Sequence, residues 1–187
     1  MTMPNRGQFQ MNKRKSTHLL LALLLCSALA HADPYQSAMD AYNEGNKQEA
    51  FRLFTELADQ GYADAQSMLG WMYSRGEGVP ENDGVAAGWN RKAAEQGQVG
   101  AQFNLGNMYN TGEGVPKNDR EAAVWYRKAA EQGHAQAQSN LGAMYQVGNG
   151  VPVNDKEAMF WYRKAAEQGV VVAQSNLGLM YAGGKGK

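Results

Sequence analysis

The chain has 187 residues, 43% of them hydrophobic and 19% charged, with 18 basic against 18 acidic side chains. One soluble domain fits these numbers, since neither an extended compositional bias nor a long disorder-prone run is present. Without the basic first segment described below, the balance turns acidic, which argues against nucleic acid, whose binding rests on neutralising phosphates.

The first segment stands apart. Lys13, Arg14 and Lys15 precede an apolar run from Leu19 to Ala30, and Ala30-His31-Ala32 places small residues at both positions that a signal peptidase inspects. This order predicts a secretory signal at 1–32, cleaved after Ala32, and a periplasmic or secreted location. The run is 12 residues long, short of the roughly 20 that a helix needs to cross a bilayer, so a permanent anchor is the weaker reading. Met11 is an alternative start to Met1. Cys26 follows Leu25 rather than a small residue, which disfavours lipidation. Cleavage removes this sole cysteine, so disulfides and thiolate metal sites are excluded and stability must come from packing. It also removes four basic residues and no acidic ones, leaving 14 basic against 18 acidic residues and a formal charge of −4. No stable membrane span is expected after cleavage.

Residues 33–61 read as a short helix pair, with Asn46 and Glu49 capping a second helix that carries Ala50, Phe54 and Leu57. From Tyr62 onward the chain repeats itself. Trp89, Trp125 and Trp161 are 36 residues apart, as are Gly70, Gly106, Gly142 and Gly178, and units 98–133 and 134–169 agree at 24 of 36 positions. A fixed period between about 20 and 50 residues marks a stacked repeat protein. The units are 62–97, 98–133, 134–169 and a partial 170–187.

Each unit reads as two helices. Ala65, Met68, Leu69, Met72 and Tyr73 paint one face of a first helix, and Ala122, Trp125, Tyr126, Ala129 and Ala130 do the same for a second. Between such helices Gly112 and Gly114 permit positive φ, Pro116 blocks continuation, and Asn118 with Glu121 forms a capping box; Gly133 ends the second helix. The Gly-x-Gly of this loop lies near a lysine, but a dinucleotide fingerprint needs a third glycine after a strand, and a P-loop needs Gly-Lys followed by Ser or Thr. The stretch is punctuation. A glycine inside a helix costs about 1 kcal/mol relative to alanine, so its recurrence at Gly106 and its equivalents calls for a close helix crossing, with Ala129 and Ala130 as the small residues opposite. The tryptophans, in register with those alanines, read as core wedges.

The pattern A-x-x-x-LG-x-MY-x-x-G-x-GVP-x-ND followed by A-x-x-WYRKAAEQG closely resembles the SEL-one-like repeat family, a relative of the tetratricopeptide repeat. The resemblance runs from Tyr62 to the C-terminus, while residues 33–61 resemble a shorter tetratricopeptide-like unit serving as an N-terminal cap. It implies an all-α fold, a right-handed α-solenoid of stacked antiparallel helix pairs, and a role in assembling other proteins, often in secreted or envelope-located bacterial complexes. The last unit supplies one helix and stops at Lys187. Terminal repeats usually carry a polar outer face, whereas Val170, Val171 and Val172 are apolar, so a tolerated cap, a truncated reading frame and a partner-covered helix all stay open.

Little in the chain suggests chemistry. After cleavage His134 is the only histidine, at a unit junction where other units have Tyr62, Gln98 and Val170. No catalytic residue, cofactor or metal site is predicted. Asp83, Asp119 and Asp155 recur beside helix starts and read as helix caps. Arg91-Lys92, Arg127-Lys128 and Arg163-Lys164, each with a glutamate in helical reach (Glu95, Glu131, Glu167), read as a solvated stripe.

One lateral face of the first helices varies while the core-facing positions repeat: Ser67, Trp71 and Ser74; Phe103, Asn107 and Asn110; Ser139, Ala143 and Gln146; Ser175, Leu179 and Ala182. First helices line the concave surface of helix-pair solenoids, where apolar anchors among amides suit an extended segment or a helix. Trp71, Phe103, Asn107, Asn110, Gln146 and Leu179 are therefore the candidate partner-binding residues. The function expected is a secreted or periplasmic interaction scaffold binding a protein or peptide. The alternative is a cell-wall-related or β-lactam-binding protein with weak hydrolase activity, implied only by cysteine-rich members of the family, whose disulfide in each repeat this chain lacks.

Overall fold

The computed structural model describes residues 33–185; the predicted signal at 1–32 lies outside them. Among the described residues there are nine α-helices and no strand. They are α1 (Pro34–Asn43), α2 (Lys47–Asp59), α3 (Ala63–Arg75), α4 (Asp83–Glu95), α5 (Val99–Thr111), α6 (Asp119–Glu131), α7 (Ala135–Val147), α8 (Asp155–Glu167) and α9 (Val171–Ala182). The helices pack as α1/α2, α3/α4, α5/α6 and α7/α8, each pair stacks on the next, and α9 closes on α8. First helices also touch, α3 with α5 and α7 with α9, so they share a face. This is an α-solenoid, in which contacts are dominated by chain neighbours.

The loop between paired helices follows from its residues. Gly112 takes φ 89° and ends α5 in the left-handed conformation, its N–H bonded to the Met108 carbonyl. Gly114 does a second job: a Cβ there would lie 2.1 Å from the Asp83 carbonyl oxygen, so the loop of one unit presses on the second helix of the unit before it. Asn118 then accepts from Glu121 N at 3.2 Å and starts α6. Its own backbone N–H donates to the Tyr109 carbonyl at 2.8 Å, so the reciprocal half of the expected capping box is replaced by a tie back to α5. Asn82 and Asn154 cap α4 and α8 in the same way. Asp83, Asp119 and Asp155, expected as caps, are instead the first helical residues, where a negative charge is favoured by the helix dipole.

Gly106 does sit at a close approach, but the group opposite is not an alanine. A Cβ at Gly106 would meet the Tyr126 ring at 2.6 Å, and one at Gly142 would meet the Tyr162 ring at 2.8 Å. Glycine thus makes room for a buried tyrosine of the second helix, while Ala129 and Ala130 are buried in the same cluster. Trp125 and Trp161 are buried and Trp89 is half-buried.

Lys92, Lys128, Arg163 and Lys164 are exposed, as expected of a solvated stripe, while Arg91 and Arg127 are half-buried. Arg127 bonds to the Tyr145 hydroxyl, and Arg163 donates to the Tyr181 hydroxyl at 2.7 Å, each reaching the first helix of the next unit. Lys92 and Lys128 lie 3.9 Å over the Trp89 and Trp125 rings. The arginines thus tie successive units together, and the lysines lay their charges over aromatic rings of their own helix.

A glutamine ladder, which the sequence reading did not single out, runs through the stack. Gln102, 4% exposed, donates to the Ala94 carbonyl at 3.2 Å and accepts from Gln132 at 2.8 Å. Gln138 repeats this with Ala130 and Gln168, and Gln66 with Ala58 and Gln96. Each buried amide thus satisfies a carbonyl at a helix C-terminus, where orphan acceptors collect.

Candidate interaction groove

Two hollows open on the face shared by the first helices. The one between units 98–133 and 134–169, about 250 Å³, is lined by Asn110, Tyr126, Asn140, Ala143, Met144, Val147 and Asn149. The one between units 62–97 and 98–133, about 150 Å³, includes Trp71, Ser74, Asp83, Asn90, Asn104 and Glu113. They are one slot repeated, because Ser74, Asn90, Asn104 and Glu113 stand 36 residues before Asn110, Tyr126, Asn140 and Asn149.

Position 126 sets the slot's floor. The Tyr126 hydroxyl donates to Asn107 Oδ1 at 2.6 Å and faces the Asn140 amide on its other side. Burial pushes its pKa up to about 12, so it stays a neutral donor. Tyr162 does likewise with Gln146 Oε1 at 2.8 Å, and burial raises its pKa too.

At the equivalent place in the first full unit stands Asn90, 3% exposed. Its Nδ2 donates to the Ala86 carbonyl at 3.1 Å, which fixes the amide's orientation, and its Oδ1 is buried with no partner. The shorter side chain also interrupts the core. A separate small cluster of Ala86, Ala87 and Met108 lies between the N-terminal cluster around Phe54 and Leu69 and the main cluster around Leu105, Tyr126 and Tyr162.

Trp71 stands at the mouth of this slot, 40% exposed. Its Nε1 donates to the Tyr42 hydroxyl at 3.2 Å, and that hydroxyl donates to Glu77 Oε2 at 2.6 Å. The Glu77 carboxyl is held below its ordinary pKa, first by the Tyr42 hydrogen bond and then by Lys47. One indole face carries the Arg75 guanidinium at 4.7 Å. The ring is thus propped in place by α1 and by its own helix.

The structure brings Trp71 and Asn107 together at the first hollow and puts Asn110 at the second. The other candidates lie elsewhere. Phe103 is half-buried, stacked on His134 at 4.4 Å and tilted against Tyr126 at 6.0 Å. Gln146 is half-buried beneath the Tyr162 hydroxyl, and Leu179, 69% exposed, belongs to α9. Asn90, Asn104, Asn140 and Glu113 were missed. Their signal was present in the repeat itself, where WNRK replaces WYRK at Asn90 and an asparagine recurs at 104, 140 and 176.

His134, the sole histidine among the described residues, accepts from Ala137 N through Nδ1 at 3.1 Å and so caps α7. Desolvation lowers its pKa, keeping the ring neutral.

Matches to the Sel1 repeat cover residues 41–62, 63–98, 99–134, 135–170 and 171–187, four-fifths of a chain whose helix pairs and 36-residue period are those described above. The chain belongs to the Sel1 repeat family. A solved Sel1 repeat protein from Oxalobacter formigenes is similar over 83% of this chain, with 42% identity and a TM-score of 0.78. A protective antigen of uropathogenic Escherichia coli with an SLR fold, c5321, matches over 86% with 35% identity and a TM-score of 0.78. This chain spans 62% and 36% of the length of those two proteins. Helicobacter pylori cysteine rich protein B matches over 65% of this chain and 93% of its own, with 29% identity and a TM-score of 0.53. Comparison with curated protein sequences gives no match. Sel1 repeat proteins are in general protein-interaction scaffolds.

Proposed function

We propose that this Sel1 repeat protein is an exported interaction module that holds an extended peptide or helix of a partner protein across the face of α3, α5 and α7. The observation that carries the reading is the repeated slot: two hollows at equivalent places in successive units, lined by amides and opening on one face. A regular series of hydrogen-bonding pockets suits the main chain and alternate side chains of a bound segment. Trp71 supplies an aromatic anchor at one end, a residue type that dominates interface energetics. The hydrolase alternative has no observation in its favour, since His134 is engaged as a cap and a stacking partner.

Selection of a random peptide display library on the protein from Asp33 tests the groove. Selected peptides should be lost by Asn110→Arg, which blocks the second slot, and kept by Val124→Arg on α6. The reverse pattern would move the interface to the hollow of about 390 Å³ that Val124 shares with Arg120 and Arg127. Export is tested by intact mass: a secreted chain beginning at Asp33 is expected, and one retaining residues 19–32 would mean an anchor.

A further inference from the structure

We infer that the slot at Asn90 is a receptor for an arginine side chain of the bound segment. The inference rests on the groove proposed above and names its specificity. In the next two units the slot's floor is a tyrosine ring whose hydroxyl is satisfied within the protein. Here the floor is Asn90, 97% buried by the same measure, with an Oδ1 that accepts nothing. A buried acceptor left unpaired is destabilising, and the side chain that would relieve it must bring a donor.

The walls say which donor. Asp83 and Glu113 both line the hollow, and neither is ion-paired among the described residues. No basic side chain lines it. In the next unit the position of Glu113 is held by Asn149, and that hollow carries no acid. The positive end of α4 lies beside Asp83, but a helix terminus amounts to about half a charge, and two carboxylates exceed it. Trp71 at the mouth offers an indole face, with Arg75 on one side of the ring as an example of the same contact.

A guanidinium matches all of these. It is planar, permanently charged and weakly hydrated, and it carries five N–H donors for acceptors spread around a narrow space. A cavity of about 150 Å³ admits the guanidinium and the end of its stem. An ammonium would meet the carboxylates but would leave part of the acceptor set unfilled, and a neutral amide would leave both charges unanswered.

The test uses the protein from Asp33 and three probes: acetyl-Gly-Gly-Arg-Gly-Gly-amide, the same pentapeptide with citrulline, and free L-arginine. Side-chain NMR signals of Trp71, Asn90 and Asn104 report the slot, and those of Asn110 and Asn140 report its neighbour. The arginine pentapeptide should give saturable shifts at the first set, and the citrulline peptide should bind at least tenfold more weakly, with free arginine also weaker. Asn90→Tyr, which restores the residue found at 126 and 162 opposite a waiting Gly70, should remove binding while the protein melts at or above its original temperature. Glu113→Gln should weaken binding several-fold. Equal binding of the citrulline peptide, tighter binding of free arginine, or shifts that survive Asn90→Tyr would each overturn the assignment. Display-selected peptides that bind the groove without a basic residue and tolerate Asn90→Tyr would overturn it and leave the groove standing. An arginine-binding slot on a protein whose groove captures no peptide would refute the groove alone.

Discussion

The Tyr126 ring occupies the space that any side chain at residue 106 would need: a Cβ built on Gly106 would lie 2.6 Å from Tyr126 Cδ1. Tyr126 is 2% exposed and held at its hydroxyl by Asn107, so the ring has nowhere to retreat. The repeated helix-interior glycine is therefore one half of a glycine–tyrosine lock, made again by Gly142 and Tyr162. In α9, Gly178 has nothing within 4 Å, and the same residue there keeps its cost without the contact that justifies it.

Opposite signs are expected from the same substitution at these two glycines. Gly106→Ala gains about 1 kcal/mol of helix propensity but overpacks a fixed ring at a cost of roughly 1–3 kcal/mol, so it should destabilise by up to about 2 kcal/mol net. Gly178→Ala meets no obstacle and should stabilise by up to about 1 kcal/mol. Urea unfolding of the two variants measures both; a stabilising Gly106→Ala would remove the lock.

Gln102→Leu should destabilise by about 1–3 kcal/mol, since it leaves the Ala94 carbonyl without its donor in a buried place, while the exposed Gln132 amide keeps its bond to the Gly97 carbonyl. Gln174 makes the corresponding bond to Ala166 at 3.1 Å but is exposed, so Gln174→Leu should cost well under half as much. Equal costs would mean that the ladder contributes through its exposed ends rather than its buried rungs.

Stability should fall as the solution is acidified through the histidine range. Desolvation lowers the folded-state pKa of His134 below the unfolded value of about 6.5. Where only the unfolded chain takes up the proton, stability rises with pH. The contribution is therefore complete above the unfolded pKa and is lost as pH drops towards the lower folded value. Protonation also removes the Nδ1 lone pair that caps α7. His134→Gln, the residue that caps α5 as Gln98, should retain a cap and flatten the unfolding midpoint between pH 7 and 5, with midpoints read by circular dichroism. A slope unchanged in the variant would assign the pH dependence to the carboxylates.

The helix pairs were legible in the sequence because their signals are local: apolar spacing, Asn caps, and glycines past helix ends. Residues whose role depends on a partner 18 to 35 positions away were not. The glycine at 106 signals a close crossing, for which small residues such as Ala129 and Ala130 are the natural expectation, but the side chain that reaches across is Tyr126 of the second helix. Glutamates in helical reach make the basic pairs read as solvated, whereas the arginines' partners, Tyr145 and Tyr181, belong to the following unit. Asn90 was the clearest missed signal. A polar residue in a slot that elsewhere holds a buried tyrosine marks a place where the repeat has given up packing.

The two aromatic anchors expected on the variable face should separate when changed singly. Trp71 keeps 40% of its surface exposed and lines the first hollow, so Trp71→Ala should weaken display-selected peptides at least tenfold while costing only about 1 kcal/mol of stability, within the usual range for a half-exposed position. Phe103 stacks between His134 and Tyr126 and lines neither hollow; Phe103→Ala should cost about 2–3 kcal/mol, somewhat below the value for a fully buried ring, and leave affinity within a few-fold. A double variant would mix the two effects and read as one. Peptide titrations by calorimetry, paired with urea unfolding of each single variant, keep them apart. Affinity unchanged in Trp71→Ala would make the indole a strut for Tyr42 rather than an anchor, and recognition would then be sought around Leu179, the large apolar side chain left 69% exposed on α9.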